Sequence, residues 1–226
     1  LDTFLSRNLT AISMELISDR DGRRPCLMAV SEIAGVLAIQ VASYYLQSPF
    51  GGRGILLGGS PGVPPGNVVV IGAGTVGLTA ATTAHRLGAH TMLFDRSVQK
   101  LRSAQQILGP GVATNIFSRH SLESVLVATD VLIGAVSVPG EKAPVVVTAD
   151  LVGMMRPGAV IVDLSIDEGG CVETSRPTTV VSPTFVVSGV THFCVPNLTT
   201  LVARSASRAI SHAMFPYVMA LGEGGA

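Results

Sequence analysis

The six residues from Gly72 to Gly77 have the residue types and the spacing of a loop that binds the diphosphate of a dinucleotide. They read GAGTVG and follow directly on the apolar run at 67–71. Gly72 permits a tight turn, Gly74 lets the backbone approach the diphosphate, and Gly77 lets a helix pack closely on a strand. The helix that opens at Thr75 offers free N–H groups and the positive end of its dipole to the phosphates. A glycine-rich turn that serves only strand-helix packing is the alternative interpretation.

An acidic residue stands where the ribose of such a cofactor would be bound. Asp95 ends the second short apolar run, and its carboxylate can accept hydrogen bonds from the ribose hydroxyls. The packing interpretation does not explain an acid at this place. Arg96 leaves a second option open, because an arginine here can accommodate a 2′-phosphate. Asp95 would repel that phosphate, so the pattern favours NAD(H) over NADP(H).

Length and composition limit the classes of protein to which this chain can belong. The 226 residues suffice for one large domain or a domain with a small appendage. Charged residues make up only 13%, which suggests that another subunit or domain covers part of the surface, as in a homo-oligomer. The formal net charge is zero and no basic run occurs, so a nucleic-acid partner is not expected.

Cysteine and histidine usage indicates the compartment and argues against a metal. Three cysteines form no C-x-x-C pair, which is typical of a reduced, cytoplasmic protein. Five scattered histidines lack the spacing of metal ligands, so no metal site is expected. Residues 1–24 do not read as a signal peptide, and polar and glycine positions break the apolar runs, so no membrane span is expected. Leu1 is an unusual first residue, and a fragment, processing or trimming would each explain it.

Apolar runs and helix-like stretches alternate from Asn67 onward, which predicts an α/β fold with a doubly wound, mostly parallel sheet of the Rossmann type. We expect six or seven strands, each apolar throughout because helices cover both faces. The predicted strands are 67–71, 91–94, 112–116, 131–134, 159–164, 184–187 and 190–195. The predicted helices of this part are 75–87, 97–108, 121–128, 148–155 and 201–221.

The flanking segments complete the predicted organisation. Apolar spacing predicts helices at 3–18 and 32–47, packed beside the sheet, with Ser31 capping the second. Together they form a helical lead-in over 1–50. A Gly/Pro-rich connection at 51–66, a Rossmann core at 67–198 and a C-terminal helix within 199–226 complete one domain over 1–226.

Three longer motifs resemble a known family. They are SEIAG at 31–35, GGRGILLGGSPGV at 51–63 and DLSIDEGGCVETSRPTT at 163–179. With GAGTVG they resemble the alanine dehydrogenase and pyridine nucleotide transhydrogenase family, and alanine dehydrogenase more closely. The resemblance implies an NAD(H)-binding domain within a two-domain enzyme. The arginine, lysine and histidine that hold the keto acid in that family belong to a preceding part with no counterpart here, so the substrate domain is expected to be absent.

The resemblance also implies site residues. Asp167 matches the family's active-site carboxylate, which would orient an ammonium or imine or stabilise a developing positive charge. A loop-capping aspartate is the alternative for Asp167, and Asp163 is expected to be structural. The residues implied in cofactor binding are Ser31, Gly72, Gly74, Thr75, Val76, Gly77, Asp95, Lys100, Ser118, Val136, Ser137, Leu164, Ser165, Ile166, Asp167, Arg176, Val195, Pro196, Asn197 and Leu198.

Some positions depart from the family pattern. Pro196 stands for the usual alanine, Leu198 for a methionine, and 199–213 lacks the usual serine-threonine pattern. Three functions therefore stay open. The first is the NAD(H) domain of an enzyme that converts L-alanine to pyruvate and ammonia, incomplete for catalysis on its own. The second is a free-standing NAD(H)-binding subunit or sensor, and the third is a related amino-acid oxidoreductase with another substrate.

Overall fold

A computed structural model describes residues 2–7, 9–138 and 140–224. Leu1, and Asn8 within the predicted helix 3–18, lie outside this description. The helices are α1 Asp2–Ser6, α2 Pro25–Tyr45, α3 Thr75–Arg86, α4 Val98–Leu108, α5 Arg119–Leu126, α6 Ala149–Val152 and α7 Ala203–Gly224. The strands are β1 Asn67–Ile71, β2 His90–Asp95, β3 Ala113–Ile116, β4 Val131–Gly134, β5 Val160–Asp163, β6 Thr184–Val187 and β7 Val190–Phe193. Short 3₁₀ turns lie at Met14–Leu16, Ser48–Phe50, Ile166–Glu168 and Leu198–Val202.

The seven strands form one sheet in the order β3-β2-β1-β4-β5-β7-β6. All neighbours are parallel except β6 and β7. Val69 of β1 lies between Met92 of β2 and Leu132 of β4, which fixes the register at the centre. The order reverses between β1 and β4, where doubly wound sheets open a crevice for ligands. The predicted α/β class and mostly parallel sheet are confirmed.

The central strands are buried on both faces, as their continuous apolar sequences require. Val69 and Ile71 pack with Leu122 of α5 and Leu151 of α6 in a cluster of buried apolar residues. The alternate residues of β1 point to the other face and are equally buried. The edge strand β3 differs from the prediction, because its residues are largely exposed and its sequence, ATNI, is half polar.

The predicted helix at 3–18 is wrong over most of its length. Among the described residues of this segment, only Asp2–Ser6 is α-helical, and Met14–Leu16 is a 3₁₀ turn. The apolar side chains that suggested the helix, Phe4, Leu9, Ile12 and Leu16, are each about half exposed or more (48%, 53%, 53% and 65%). Isolated short helices are marginal in water without a packed face, so apolar spacing alone does not form one here.

Other predicted boundaries differ from the observed ones for reasons that are local in the chain. The second helix begins at Pro25 rather than 32, and proline is favoured in a first helical turn. α5 begins at Arg119 because Ser118 caps it in a reciprocal pair with Ser121. Three strands keep their predicted bounds, and the ends of the other four move by at most two residues, which is the usual uncertainty of such boundaries. The predicted helix at 148–155 shortens to Ala149–Val152.

The chain divides into two compact units, one of residues 1–33 with 199–226 and one of residues 34–198. The second unit contains the whole sheet and α3 to α6. α2 contributes to both, and by length and composition it is apolar enough to cross a membrane, with a mean hydropathy of 1.8. The core helix of a soluble protein can have the same length and the same apolar composition. Within the second unit, α2 buries Leu37, Ile39 and Ala42, and a methyl group on Gly35 would lie 2.6 Å from the carbonyl oxygen of Val76 in α3.

A buried ion pair holds the connection at 51–66 to the amino-terminal edge of the sheet. Arg53 pairs with Asp130, whose side chain is only 4% exposed. The other carboxylate oxygen of Asp130 accepts the backbone N–H of Asn67, the first residue of β1, at 2.8 Å. The connection is therefore fixed where the first strand begins.

Candidate functional site

A cavity of about 290 Å³ opens at the carboxyl edge of the sheet, between the loops that follow β1 and β4. This is the point where the strand order reverses, so the sheet topology alone places a ligand crevice here. Its lining residues are Ile71, Gly72, Gly74, Asp95, Arg96, Lys100, Phe117, Ala135, Val136, Ser137, Val138, Pro144 and Val146. The structure thus brings together six of the predicted site residues in one cavity: Gly72, Gly74, Asp95, Lys100, Val136 and Ser137.

The three glycines of the loop after β1 perform different steric tasks. Gly72 has φ +106°, and a methyl group on it would collide with the carbonyl oxygen of Ala135. A methyl group on Gly77 would collide with the carbonyl oxygen of Gly72. Gly74 meets nothing within 4 Å, so the space in front of it is open.

That open space lies at the beginning of a twelve-residue helix. Gly74 is the N-cap of α3 and makes no side-chain capping bond. Thr75 and Val76 follow it in the first turn. The first N–H groups of a helix need partners outside the helix, and a diphosphate supplies such partners. The loop therefore fits the diphosphate of a dinucleotide, and steric packing explains two of its three glycines.

Asp95 connects the glycine loop to the next helix. One carboxylate oxygen accepts the backbone N–H of Ala73 at 2.7 Å, and the other accepts that of Ser97 at 2.7 Å. Ser97 in turn caps α4 by accepting the N–H of Lys100 at 3.3 Å. The carboxylate is half-buried and lines the cavity, so acceptor capacity for a ribose hydroxyl remains on its exposed side.

Two basic residues and one aromatic residue form the outer wall of the same cavity. The guanidinium of Arg96 lies 5.7 Å from the ring centre of Phe117. Lys100 is exposed at the rim. Ser118, next to Phe117, is engaged as the N-cap of α5, and it does not line the cavity.

The loops after β4 and β5 are tied to each other by hydrogen bonds. The backbone N–H of Val136 donates to the Oγ of Ser165 at 3.0 Å. The hydroxyl of Ser137 donates to Glu168 at 2.9 Å. Ser165 and Ile166 are buried and Leu164 is half-buried, so these three residues present little open surface, and none of them lines the cavity.

Asp167 is exposed at the carboxyl edge and faces the segment that follows β7. Both of its carboxylate oxygens lie within reach of the backbone N–H of Asn197, at 3.2 and 3.3 Å. Val195 and Leu198 of that segment are buried, while Pro196 is half-buried. The carboxylate therefore caps a backbone group and still presents an open side to solvent.

Ser31 and Arg176 are two further predicted cofactor residues, and they belong to other segments of the chain. Ser31 is a half-buried residue of α2 in the first of the two compact units. The guanidinium of Arg176 lies 4.4 Å from the ring centre of Phe185 in β6, and that ring stacks on His192 at 5.0 Å. In this arrangement Arg176 lies over the Phe185 ring at the antiparallel edge of the sheet.

The buried thiols do not form a nucleophilic site. Burial, reinforced by the nearby charge of Asp163, raises the pKa of the Cys171 thiol well above its usual range. Burial also raises the pKa of Cys194, to about 11. Both side chains are therefore neutral thiols at physiological pH, as expected for inert buried cysteines. Within the described ranges, no group of three or more His, Cys, Asp or Glu side chains could hold a metal ion.

Several contacts at this site were not foreseen from the sequence. Phe117, Pro144 and Val146 line the cavity, and Glu168 holds Ser137. A signal existed for Phe117, because it is the last residue before the capping serine of α5 and follows a strand at the ligand edge. Pro144 and Val146 lie in an irregular segment, where no periodicity indicates which side chain faces a ligand.

Comparisons with known proteins agree with this geometry. The model of the C-terminal domain of the alanine dehydrogenase/PNT family matches residues 38–226. The chain is similar to the alanine dehydrogenase of Mycolicibacterium smegmatis, with 44% identity over 99% of this chain and 60% of that protein.

Two solved structures are similar along nearly the whole chain. One is an L-alanine dehydrogenase, with a TM-score of 0.91 and 43% identity over 96% of this chain and 60% of that one. The other is a transhydrogenase from Sinorhizobium meliloti, with a TM-score of 0.76 and 27% identity over 94% and 61%. The chain thus spans about 60% of the length of the curated relatives it matches. From the matched domain and the cavity with its glycine loop, the chain belongs to the alanine dehydrogenase/PNT family and contains its C-terminal, NAD-binding domain.

Proposed function

We propose that residues 1–226 act as the NAD(H)-binding domain of an alanine dehydrogenase-like oxidoreductase. The observation that carries this proposal is the open space in front of Gly74, at the start of α3. The same cavity is lined by Asp95. The diphosphate would lie over the glycine loop, and Asp95 would accept a ribose hydroxyl. Lys100 and Val136 would line the adenosine side of the site, with Thr75 and Val76 beside the diphosphate.

The reaction would convert L-alanine, NAD and water to pyruvate, ammonia and NADH. NAD, when bound, supplies the acceptor for the hydride. The task of this chain is then to hold the cofactor in one orientation and to place a negative charge beside the reacting carbon. Asp167 is the residue for that charge, because its carboxylate is exposed at the ligand edge and could stabilise an ammonium or imine.

Catalysis would need a second wall for the cleft, which binds the amino acid or keto acid. The span of about 60% of the relatives' length supports this part of the proposal. We further propose a homo-oligomer or a partner subunit, supported by a charged fraction of only 13%, and a cytoplasmic location, supported by three free buried cysteines.

A related oxidoreductase with another substrate is the second candidate. It is favoured by Pro196 and Leu198, which flank the Asn197 backbone group that Asp167 holds. These two residues would alter the nicotinamide side of the site while the adenosine side stays unchanged.

Titration of the purified chain with NADH and NADPH, followed by fluorescence, tests the proposal. We expect NADH to bind more tightly than NADPH, since Asp95 repels a 2′-phosphate. Asp95→Ala should weaken NADH binding by about 1–3 kcal/mol, because polar groups lose their acceptor. A matched control is Asp150→Ala, which removes an exposed carboxylate that pairs with Arg119 outside the site. Failure of the unaltered chain to bind NADH, or equal binding by Asp95→Ala, would contradict the proposal.

A further inference from the structure

Asp163 is a buried carboxylate whose hydrogen bonds reach both ends of the loop that carries Asp167. It ends β5, and the residue is only 1% exposed. One oxygen accepts the backbone N–H of Ser165 at 3.0 Å. The other accepts the N–H groups of Cys171 and Val172, at 3.0 and 3.1 Å. The Cys171 thiol lies 3.5 Å from the first oxygen.

These donors replace the water that burial removes. A buried carboxylate is costly unless several hydrogen bonds compensate it. In the part of the chain that the structure describes, Asp163 forms no ion pair, so the backbone of the loop supplies most of the compensation. A hydrogen bond to a charged acceptor contributes more than one between neutral groups. The carboxylate and the loop therefore fix each other.

The packing around Asp163 allows little movement. A methyl group on Gly134, opposite it in β4, would lie 2.5 Å from the Cys171 sulfur and 3.2 Å from Asp163 Oδ1. A methyl group on Gly170 would lie 3.0 Å from Asp163 Oδ2. Gly170 also has φ +84°, a conformation that other residues rarely adopt. The carboxylate is thus enclosed by two glycine backbones and one sulfur.

We propose that Asp163 is a positioning residue that sets the place of the Asp167 carboxylate by holding residues 165 and 171–172 at the two ends of their loop. Through Ser165, whose Oγ accepts the N–H of Val136 at 3.0 Å, the same network also positions the loop after β4. The inference rests on the proposed function for the chemical role of Asp167, and the geometry of the loop stands apart from that role.

The contact between Asp167 and the N–H of Asn197 reports the position of the loop. Amide exchange measured by NMR on the purified chain follows this N–H without any need for turnover. Asp163→Asn replaces one acceptor by a donor that faces backbone N–H groups. We expect the Asn197 amide to exchange about tenfold faster and its ¹H–¹⁵N resonance to shift, because one lost hydrogen bond weakens closure locally. The amides of Ala73 and Ser97, held by Asp95, should keep their rates.

Asp130→Asn is the matched control, since Asp130 is also a buried aspartate but lies at the opposite edge of the sheet. This variant should change the exchange rate of the Asn197 amide by no more than about twofold, because that amide opens locally and not through global unfolding. An unchanged Asn197 amide in Asp163→Asn, or an equal change in Asp130→Asn, would overturn the positioning role.

Two further measurements test the proposal if the Asp163→Asn variant does not fold. Asp163→Ser is smaller than aspartate and keeps one acceptor, so it should show the same change at Asn197 to a lesser extent. In the unaltered chain, the amides of Ser165, Cys171 and Val172 should exchange as slowly as those of the sheet; exchange as fast as in exposed loops would overturn the proposal. NADH binding is measured in parallel: its absence would contradict the proposed function and would leave the exchange rates to decide the role of Asp163.

Discussion

The backbone N–H of Asn197 lies 3.2 and 3.3 Å from the two carboxylate oxygens of Asp167, so one donor is shared by both. Asn197 has φ +50°, a left-handed conformation that asparagine adopts more readily than most residues. The contact connects the loop after β5 to the segment after β7 across the site. The candidate catalytic carboxylate therefore has a structural task as well as an open face.

Substitutions of Asp167 should separate these two tasks. Asp167→Asn keeps an oxygen that can accept the Asn197 N–H, so we expect the NADH dissociation constant to stay within about threefold, less than 1 kcal/mol. Any pyruvate- and ammonium-dependent oxidation of NADH should be lost, because the negative charge is gone. Asp167→Ala removes the acceptor too and should weaken NADH binding further. Full turnover in Asp167→Asn would remove the carboxylate from the mechanism.

The glycines of the loop after β1 should respond differently to one added methyl group. In Gly74→Ala the added methyl group enters open space, at a residue with φ −77°. The free energy of unfolding should therefore stay within about 0.5 kcal/mol of that of the unaltered chain. The variant should weaken NADH binding about tenfold or more, because the methyl group occupies the place proposed for the diphosphate.

Gly77→Ala is the contrasting variant, since its methyl group collides with the Gly72 backbone. It should lower the free energy of unfolding by about 1–3 kcal/mol. Urea denaturation and NADH fluorescence measure the two effects. A Gly74→Ala protein that binds NADH normally would place the diphosphate elsewhere.

His192 should make the stability of the protein fall in mild acid. Its Nδ1 lies 3.0 Å from the carbonyl oxygen of Val190, which can only accept, so Nδ1 carries the proton. Nε2 then accepts from the hydroxyl of Thr174 at 2.7 Å. Burial lowers the pKa of His192 below its ordinary value, although the hydrogen bond to Val190 opposes the shift.

The sign of the pH effect follows from this lowered pKa. The unfolded chain takes up a proton near pH 6.5, where the folded protein still resists it, so stability is complete above that pH and decreases as the pH falls below it. The slope from this group is at most about 1.4 kcal/mol per pH unit. Denaturation by urea at pH values from about 5 to about 8, the range in which histidine changes its charge, measures it. His192→Gln should remove this part of the slope; an unchanged slope would contradict the assignment.

The pair of Arg53 and Asp130 should be needed for folding and not for cofactor binding. Arg53→Ala leaves a carboxylate that is 4% exposed without its cation, and such a loss costs about 3–5 kcal/mol. Arg53→Ala combined with Asp130→Asn should recover much of that stability, since the amide oxygen can still accept the Asn67 N–H. Urea denaturation of the single and double variants tests this, and equal stability of the two would contradict it.

Local patterns in the sequence indicated the half of the candidate site that contains the glycine loop. Gly72, Gly74 and Gly77 have the spacing that a turn, an open approach and a close helix contact require, and the contact of Gly77 with the Gly72 backbone is local in sequence. Asp95 follows at the end of the next strand, so the parallel pairing of β1 and β2 brings it beside the loop. The apolar runs of the central strands likewise predicted a sheet buried on both faces.

Only the tertiary structure decided the contacts between loops that are far apart in sequence. The Asp167 carboxylate meets the Asn197 N–H because β5 and β7 are neighbours, an order that no local pattern contains. The guanidinium of Arg176 lies over the Phe185 ring at the sheet edge, a contact that no local pattern in the sequence indicates. Apolar spacing at 3–18 likewise did not form one helix. Periodicity states which face of a segment could be buried, whereas burial itself depends on whether another element covers that face.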